Sequence, residues 1–131
     1  MSEATEEVAK LEDRLGLMFR RQREFMEMLR EADKMPEFPV DMTSKPGQRL
    51  AKEVTFNLIE ELMEASFTLK NRMHRVSDAR VIDFEHYREE IGDAFAFLME
   101  LCMVSGISDQ DLYDEFLKKN AIVKERLRRG Y

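Results

Sequence analysis

Residues 84–104 read FEHYREEIGDAFAFLMELCMV, and the architecture of the chain can be predicted outward from this segment. After Asp93 the segment is apolar almost all round, and Glu100 is the only charged residue before Gly106. A helix that is apolar on every side has to be buried. Asp83 stands immediately before the segment, where an aspartate caps a helix well. The pattern predicts a buried, central helix over these residues.

Three further helices are predicted around this central one. Apolar residues recur every three or four positions over about residues 3–32 and again over about 48–75, which is the period of a helix face. In the second stretch they cover more than half of the circumference, so that helix should lie centrally in a bundle or at a subunit interface. Ser108 and Asp111 have the spacing of a capping box, which opens a fourth helix to about Arg129. The stripe predicted to form the core face of this fourth helix comprises Leu112, Phe116, Val123 and Leu127.

A connection rich in proline lies between the first two predicted helices. Pro36, Pro39, Pro46 and Gly47 interrupt the periodic pattern and predict a loop of roughly a dozen residues. Loops of that length between helices are uncommon and often functional. A lid that closes over a binding site is one interpretation, which stays open.

The composition favours an all-α, four-helix bundle-like fold in one domain, 1–131. The 131 residues suit a single hydrophobic core, and only five of them are glycine and three proline. Leu, Met, Glu, Lys and Arg are abundant, and these side chains lose little rotamer freedom in a helix. Because the apolar faces exceed what four helices cover among themselves, we expect a homo-oligomer, either a dimer or a dimer of dimers.

The net charge and the cysteine content limit the classes of partner and the cellular compartment that we expect for this protein. The net charge of −6 argues against a nucleic-acid binder, because such proteins need a basic surface to displace counterions from phosphates. The N-terminus is acidic, unlike a signal peptide, and no apolar run approaches the ~20 residues that span a bilayer. The single cysteine, Cys102, lies in an apolar run, as expected for a buried, reduced thiol. We therefore expect a soluble, cytoplasmic protein with no membrane and no nucleic-acid partner.

Two pairs of acidic residues are the candidate metal ligands: Glu61 with Glu64, and Glu90 with Asp93. Each pair has i, i+3 spacing, which puts both side chains on one helix face with Cβ atoms about 5–6 Å apart. An isolated acidic pair is usually a solvated surface feature. Here both pairs lie on helices that we expect to be buried, where carboxylates without partners are costly to ionise. Four converging carboxylates would suit Mg²⁺, with Mn²⁺ as a possible substitute.

Glu60 and the basic end of the chain are candidates for further roles. A carboxylate beside a metal cluster can deprotonate an attacking water, although a solvated surface acid is an equally good interpretation of Glu60. Lys119 and Arg126 are seven residues apart on one helix face, with Asn120 on its flank, and such groups suit phosphate oxygens. Basic side chains near a helix C-terminus are the simpler interpretation. His86 shares a face with the second acidic pair and is interpreted as an exposed histidine at the helix start.

These residues together resemble a known superfamily. Residues 60–64, EELME, and 89–93, EEIGD, resemble the EExxE…EExxD signature of the all-α nucleoside triphosphate pyrophosphohydrolases, which include MazG-like proteins and the dimeric dUTPases. Residues 119–131, KNAIVKERLRRGY, resemble the KNxxNxxRxxxGY ending of the dimeric dUTPases in particular. The resemblance covers roughly residues 15–131.

The resemblance implies a magnesium-dependent enzyme that hydrolyses a nucleoside triphosphate, with dUTP favoured, to a nucleoside monophosphate and pyrophosphate. It implies that Glu61, Glu64, Glu90 and Asp93 hold the metal, and that Glu60 activates water. The residues implied to bind phosphate, sugar or base are Gln22, Lys119, Asn120, Arg126 and Tyr131.

Two other functions stay open. Met26 and Val123 stand where the dUTPase pattern has asparagine, and an amide lost there can no longer read the edge of a uracil. A broader-specificity, MazG-like house-cleaning pyrophosphohydrolase is therefore the first alternative. A non-catalytic helical interaction module is the second. A di-iron bundle would need Glu-x-x-His motifs, which neither His74 nor His86 forms.

Overall fold

The chain is all-helical in the part that the structure, a computed structural model, describes, which is residues 13–69, 74 and 82–130. These residues contain four helices and no strand. The helices are α1 (Arg14–Glu31), α2 (Lys45–Phe67), α3 (Phe84–Val104) and α4 (Asp109–Arg128). The predicted all-α fold class is therefore confirmed. Within the same residues, no single helix is both long and apolar enough to cross a membrane.

Two compact units make up the chain. One of them, Phe38–Ser105, contains α2 and α3, which pack against each other. The other is built from Met1–Glu37 and Gly106–Tyr131 and contains α1 and α4, which also contact each other. Each unit is thus organised around one helix pair. The bundle completed by a second copy of the chain stays a prediction.

Helix α3 begins, ends and is buried as its sequence predicts. The Asp83 carboxylate accepts a hydrogen bond from the His86 backbone N–H at 3.1 Å and so caps the first turn. The C-terminal half of the helix is the buried half, and its buried residues are Ala94, Met99, Cys102, Met103 and Val104. The Cys102 thiol is free and buried, as predicted, and this burial raises its pKa.

Helix α2 differs from its predicted bounds at both ends. It begins at Lys45, because the Ser44 hydroxyl accepts a hydrogen bond from the Gly47 N–H at 3.0 Å and caps the helix. Pro46 therefore lies in the first turn, where its missing N–H has no partner to lose, and the prediction of Pro46 and Gly47 as loop residues is wrong. The helix ends at Phe67, earlier than the predicted end near residue 75, which lies outside the described residues.

Helix α1 is predicted over about residues 3–32, and its described part ends close to the predicted place. It begins at Arg14 after Asp13, whose carboxylate accepts a hydrogen bond from the Gly16 N–H at 3.1 Å. Residues 1–12, which contain the predicted start, lie outside the described part of the chain. The buried side chains of the helix are Phe19 and Met26, which are seven residues apart and so lie on one face.

Helix α4 has the predicted cap but not the predicted core face. Ser108 and Asp111 form the capping box, since each side chain accepts a hydrogen bond from the other's backbone N–H at 3.0 Å. None of the residues of α4 is buried, and Phe116 and Leu127 are 64% and 71% exposed. The predicted core stripe is therefore wrong for these positions. Apolar residues at helical spacing identify a helix face that another element can cover, but they do not identify that element.

Candidate metal centre

Helices α2 and α3 bring three of the four predicted ligands together. One carboxylate oxygen from each of Glu61, Glu64 and Glu90 lies within 4.8 Å of the other two. Glu61 and Glu64 stand one turn apart on α2, whereas Glu90 comes from the second turn of α3. The two acidic segments, which are distant in sequence, therefore meet across the α2–α3 pair. We call these three residues the carboxylate cluster.

Small buried residues stand one turn beyond the central carboxylates on both helices. Ala65 follows Glu61 by four residues on α2, and Ala94 follows Glu90 by four residues on α3. Residues four apart share a helix face, and the two alanines are only 2% and 4% exposed. The distance between packed helices depends on the size of the side chains at their contact. Alanine is a side chain small enough to permit a short interhelical distance at such buried positions.

The fourth predicted ligand, Asp93, lies at the edge of this arrangement. It is not one of the three residues whose oxygens lie within 4.8 Å of one another, and its side chain is exposed. Its negative charge nevertheless contributes to raising the pKa of Glu61. Asp93 is thus near the cluster without being part of it, and its role as a ligand stays a prediction.

Glu61 is the most perturbed member of the cluster. Its pKa is raised to about 7, mainly because burial disfavours the charged form. The negative charge of Glu64, a hydrogen bond to the Glu90 side chain and the charge of Asp93 act in the same direction. Without a cation, the cluster therefore holds on to a proton that an ordinary glutamate would release.

Two oxygen atoms of the cluster are buried without any hydrogen-bond partner, Oε2 of Glu61 and Oε2 of Glu90. The other oxygen of Glu90, Oε1, lies 3.0 Å from His86 Nε2. Buried polar atoms in folded proteins nearly always have a partner, because an unsatisfied one costs free energy. Two such atoms in one group of carboxylates leave room for a proton or for a bound cation as their partner.

His86 contacts this site, although the sequence interpretation, which placed it on the same face as the second acidic pair, gave it no role there. Its Nε2 lies 3.0 Å from Glu90 Oε1. The histidine side chain is 52% exposed, as the sequence interpretation expected, but the Glu90 side chain is only 14% exposed. The available signal was the spacing of four residues between them, which places both on one face of α3.

The donor set fits a hard divalent cation. Three carboxylates supply only oxygen ligands, which Mg²⁺ and Mn²⁺ accept and which leave coordination positions for water or phosphate. No cysteine or histidine cluster in residues 13–69 and 82–130 offers the nitrogen and sulfur ligands typical of zinc. Glu60, the predicted base, is exposed beside Glu61 on α2, a position compatible with either interpretation of this residue.

The predicted substrate-binding residues belong to the other unit of the chain. Gln22 lies half-buried on α1, and Asn120 lies half-buried on α4. Lys119 and Arg126 are exposed on α4, where Arg126 lines a shallow cavity of about 360 Å³. Tyr131 lies outside the described residues. The roles of these five residues stay predictions.

Comparisons with protein-family models, with curated proteins and with solved structures each found no match.

Proposed function

We propose that this protein is a magnesium-dependent hydrolase of nucleoside triphosphates, with dUTP as the favoured substrate. The observation that carries the proposal is the meeting of Glu61, Glu64 and Glu90, two of whose oxygens are buried without a partner. The reaction itself is taken from the resemblance of residues 60–64 and 89–93 to the pyrophosphohydrolase signature. Such a protein would work in the cytoplasm, where its nucleotide substrate is found.

In this proposal the cluster residues bind the cation. Asp93 lies beside the cluster and contributes its negative charge to the site. Bound Mg²⁺ supplies positive charge that is shared with the phosphate oxygens of the substrate, and Mn²⁺ can take its place. Glu60 orients a water molecule and takes its proton as the oxygen attacks phosphorus. The bridge between the α and β phosphates breaks, and the products are a nucleoside monophosphate and pyrophosphate.

The basic residues of α4 would bind the triphosphate. Lys119 and Arg126 carry the positive charge that phosphate oxygens need, and the planar guanidinium can bind two oxygens at once. Asn120, Gln22 and Tyr131 would add hydrogen bonds to the phosphates, the sugar or the base.

Exposed apolar faces support assembly into a homodimer or a dimer of dimers. Phe56 and Phe67 on α2 are 61% and 62% exposed, and Phe116 and Leu127 on α4 are exposed to a similar extent. Large apolar side chains that are clustered on helix faces mark interaction sites. A second copy of the chain is the occupant we propose for these faces.

One observation favours the broader, MazG-like activity as a second candidate. Met26 stands where the dUTPase pattern has a base-reading asparagine, and it is 0% exposed. A fully buried thioether cannot form a hydrogen bond with a uracil in solvent-accessible space. Weak discrimination between bases would follow from the loss of this contact.

Pyrophosphate release from a panel of nucleotides tests the proposal. The full chain is incubated with dUTP, dCTP, dTTP or UTP, with Mg²⁺ and with a chelator instead. We expect metal-dependent release, fastest with dUTP, and its loss in Glu61→Gln and Glu60→Gln. Glu53→Gln, which changes an exposed carboxylate of the same helix, is the matched control and should retain full turnover.

Each other outcome of the panel has a definite meaning. Equal turnover of all bases would replace dUTP hydrolysis by the broader activity. No release from any nucleotide, together with no specific metal binding in calorimetry, would contradict the enzyme and leave the helical interaction module. Unchanged turnover in Glu61→Gln would remove this residue as a ligand.

A further inference from the structure

The proposed function gives no role to the contact between the His86 side chain and Glu90. His86 stands in the first turn of α3, where its backbone N–H is held by the Asp83 cap. Its Nε2 lies 3.0 Å from Oε1 of Glu90, one turn further along the helix. His86 is therefore fixed at one end by the helix cap and contacts the carboxylate cluster at the other.

The two oxygens of Glu90 are in different environments because of this contact. Oε1 has a hydrogen-bond partner, whereas Oε2 is buried with none. The terminal torsion of a glutamate is broad, so a free carboxylate samples many orientations. A hydrogen bond to one oxygen fixes the plane of the carboxylate and thereby the direction of the other oxygen.

We propose that His86 is a positioning residue that holds Glu90 by Oε1, so that Oε2 is directed at a divalent cation bound by the cluster. The histidine itself does not touch the cation. This inference rests on the proposed metal centre and adds to it a residue of the second coordination sphere. Carboxylates that bind metals are commonly oriented by hydrogen bonds of this kind, and losing such a partner costs about 10–100-fold in metal affinity.

The chain offers a matched control for this inference. It contains two histidines, and His74 lies exposed in a turn outside the four helices. His86→Ala removes the ring, whereas His86→Gln keeps a neutral N–H donor on a side chain of similar reach. Because His86 is half exposed, neither substitution removes a core contact, and circular dichroism can verify that helix content is kept.

Calorimetric titration of the full chain with Mn²⁺ alone, without nucleotide, tests the inference. We expect His86→Ala to raise the Kd for Mn²⁺ by about 10-fold or more. His86→Gln should recover most of this loss, and His74→Ala should bind as the wild type does.

Three other results would overturn it. If the wild type binds Mn²⁺ and His86→Ala binds it equally well, the positioning role is refuted while the metal centre stands. If His86→Gln is as weak as His86→Ala, the N–H donor is not what matters. If the wild type binds no Mn²⁺, the metal centre and the positioning role fall together.

Discussion

Replacing Glu61 by glutamine should stabilise the metal-free protein at neutral and alkaline pH, although it should also abolish metal binding. Burial and the charge of Glu64 disfavour the ionised Glu61 carboxyl. Glutamine has nearly the shape of the protonated acid and carries no charge, and its amide can still form a hydrogen bond to Glu90. The variant therefore mimics the form of Glu61 that the fold prefers when no cation is bound.

The magnitude follows from the displacement of the Glu61 pKa from 4.5 to about 7. One pH unit corresponds to about 1.4 kcal/mol, so a fully buried carboxyl with this pKa would cost the folded state about 3 kcal/mol above about pH 7. Glu61 keeps partial contact with solvent, which screens its interactions. We therefore expect the variant to gain about 2 kcal/mol in the free energy of unfolding.

The direction in which the free energy of unfolding changes with pH also follows from the raised pKa of Glu61. A carboxyl whose pKa is higher in the folded than in the unfolded chain binds more protons when the chain is folded. The contribution of Glu61 to the free energy of unfolding should therefore fall as the pH rises from about 4.5 to about 7. Below this window both states are protonated, and the variant and the wild type should be equally stable.

Urea unfolding in the presence of a chelator measures this difference at a series of pH values. Subtracting the wild-type curve from that of Glu61→Gln removes the contributions of those titrating groups that do not interact with Glu61. Glu53→Gln, an exposed site on the same helix, should show no comparable gain at any pH. A Glu61→Gln variant that is no more stable than the wild type at alkaline pH would refute the reasoning, because Glu61 would then ionise without penalty.

Three substitutions test the local structure. Gly92→Ala adds a Cβ that meets no atom within 4 Å, so the higher helix propensity of alanine should raise the free energy of unfolding by about 0.5–1 kcal/mol. Gly47→Ala adds a Cβ that would overlap the Asp41 carbonyl oxygen and should cost about 1–3 kcal/mol. Ser108→Ala removes the acceptor of the Asp111 N–H and should cost about 1 kcal/mol. Urea unfolding curves check all three, and a change of opposite sign in any of them would contradict the corresponding contact.

The features that could be predicted from the sequence are those that depend on neighbouring residues. Asp83 and Ser108 cap the following helices through hydrogen bonds that span three residues, so both helix starts could be predicted correctly. The start of α2 could not, because Pro46 on its own indicates a loop. A proline is also compatible with the first turn of a helix, and only the cap at Ser44 distinguishes the two.

The features that could not be predicted depend on which part of the molecule packs against a given residue. The periodic pattern of α4 identified an apolar face correctly, yet Phe116 and Leu127 on that face are exposed. For the acidic pairs, the spacing predicts which carboxylates share a helix face. The register of α2 against α3 decides which of them meet, and it places Asp93 at the edge of the cluster rather than within it.

The carboxylate cluster is built into the packing of α2 on α3. In both helices a buried alanine, Ala65 or Ala94, follows the central glutamate by one turn. Mutual repulsion of Glu61 and Glu90 would favour moving the helices apart. The packing of α2 on α3 opposes this movement. The unfavourable proximity of the acids is then reflected in the raised pKa of Glu61 and in two carboxylate oxygens without a partner. A divalent cation held by the cluster would relieve this repulsion, and packing that already holds the acids together would lower the cost of binding it.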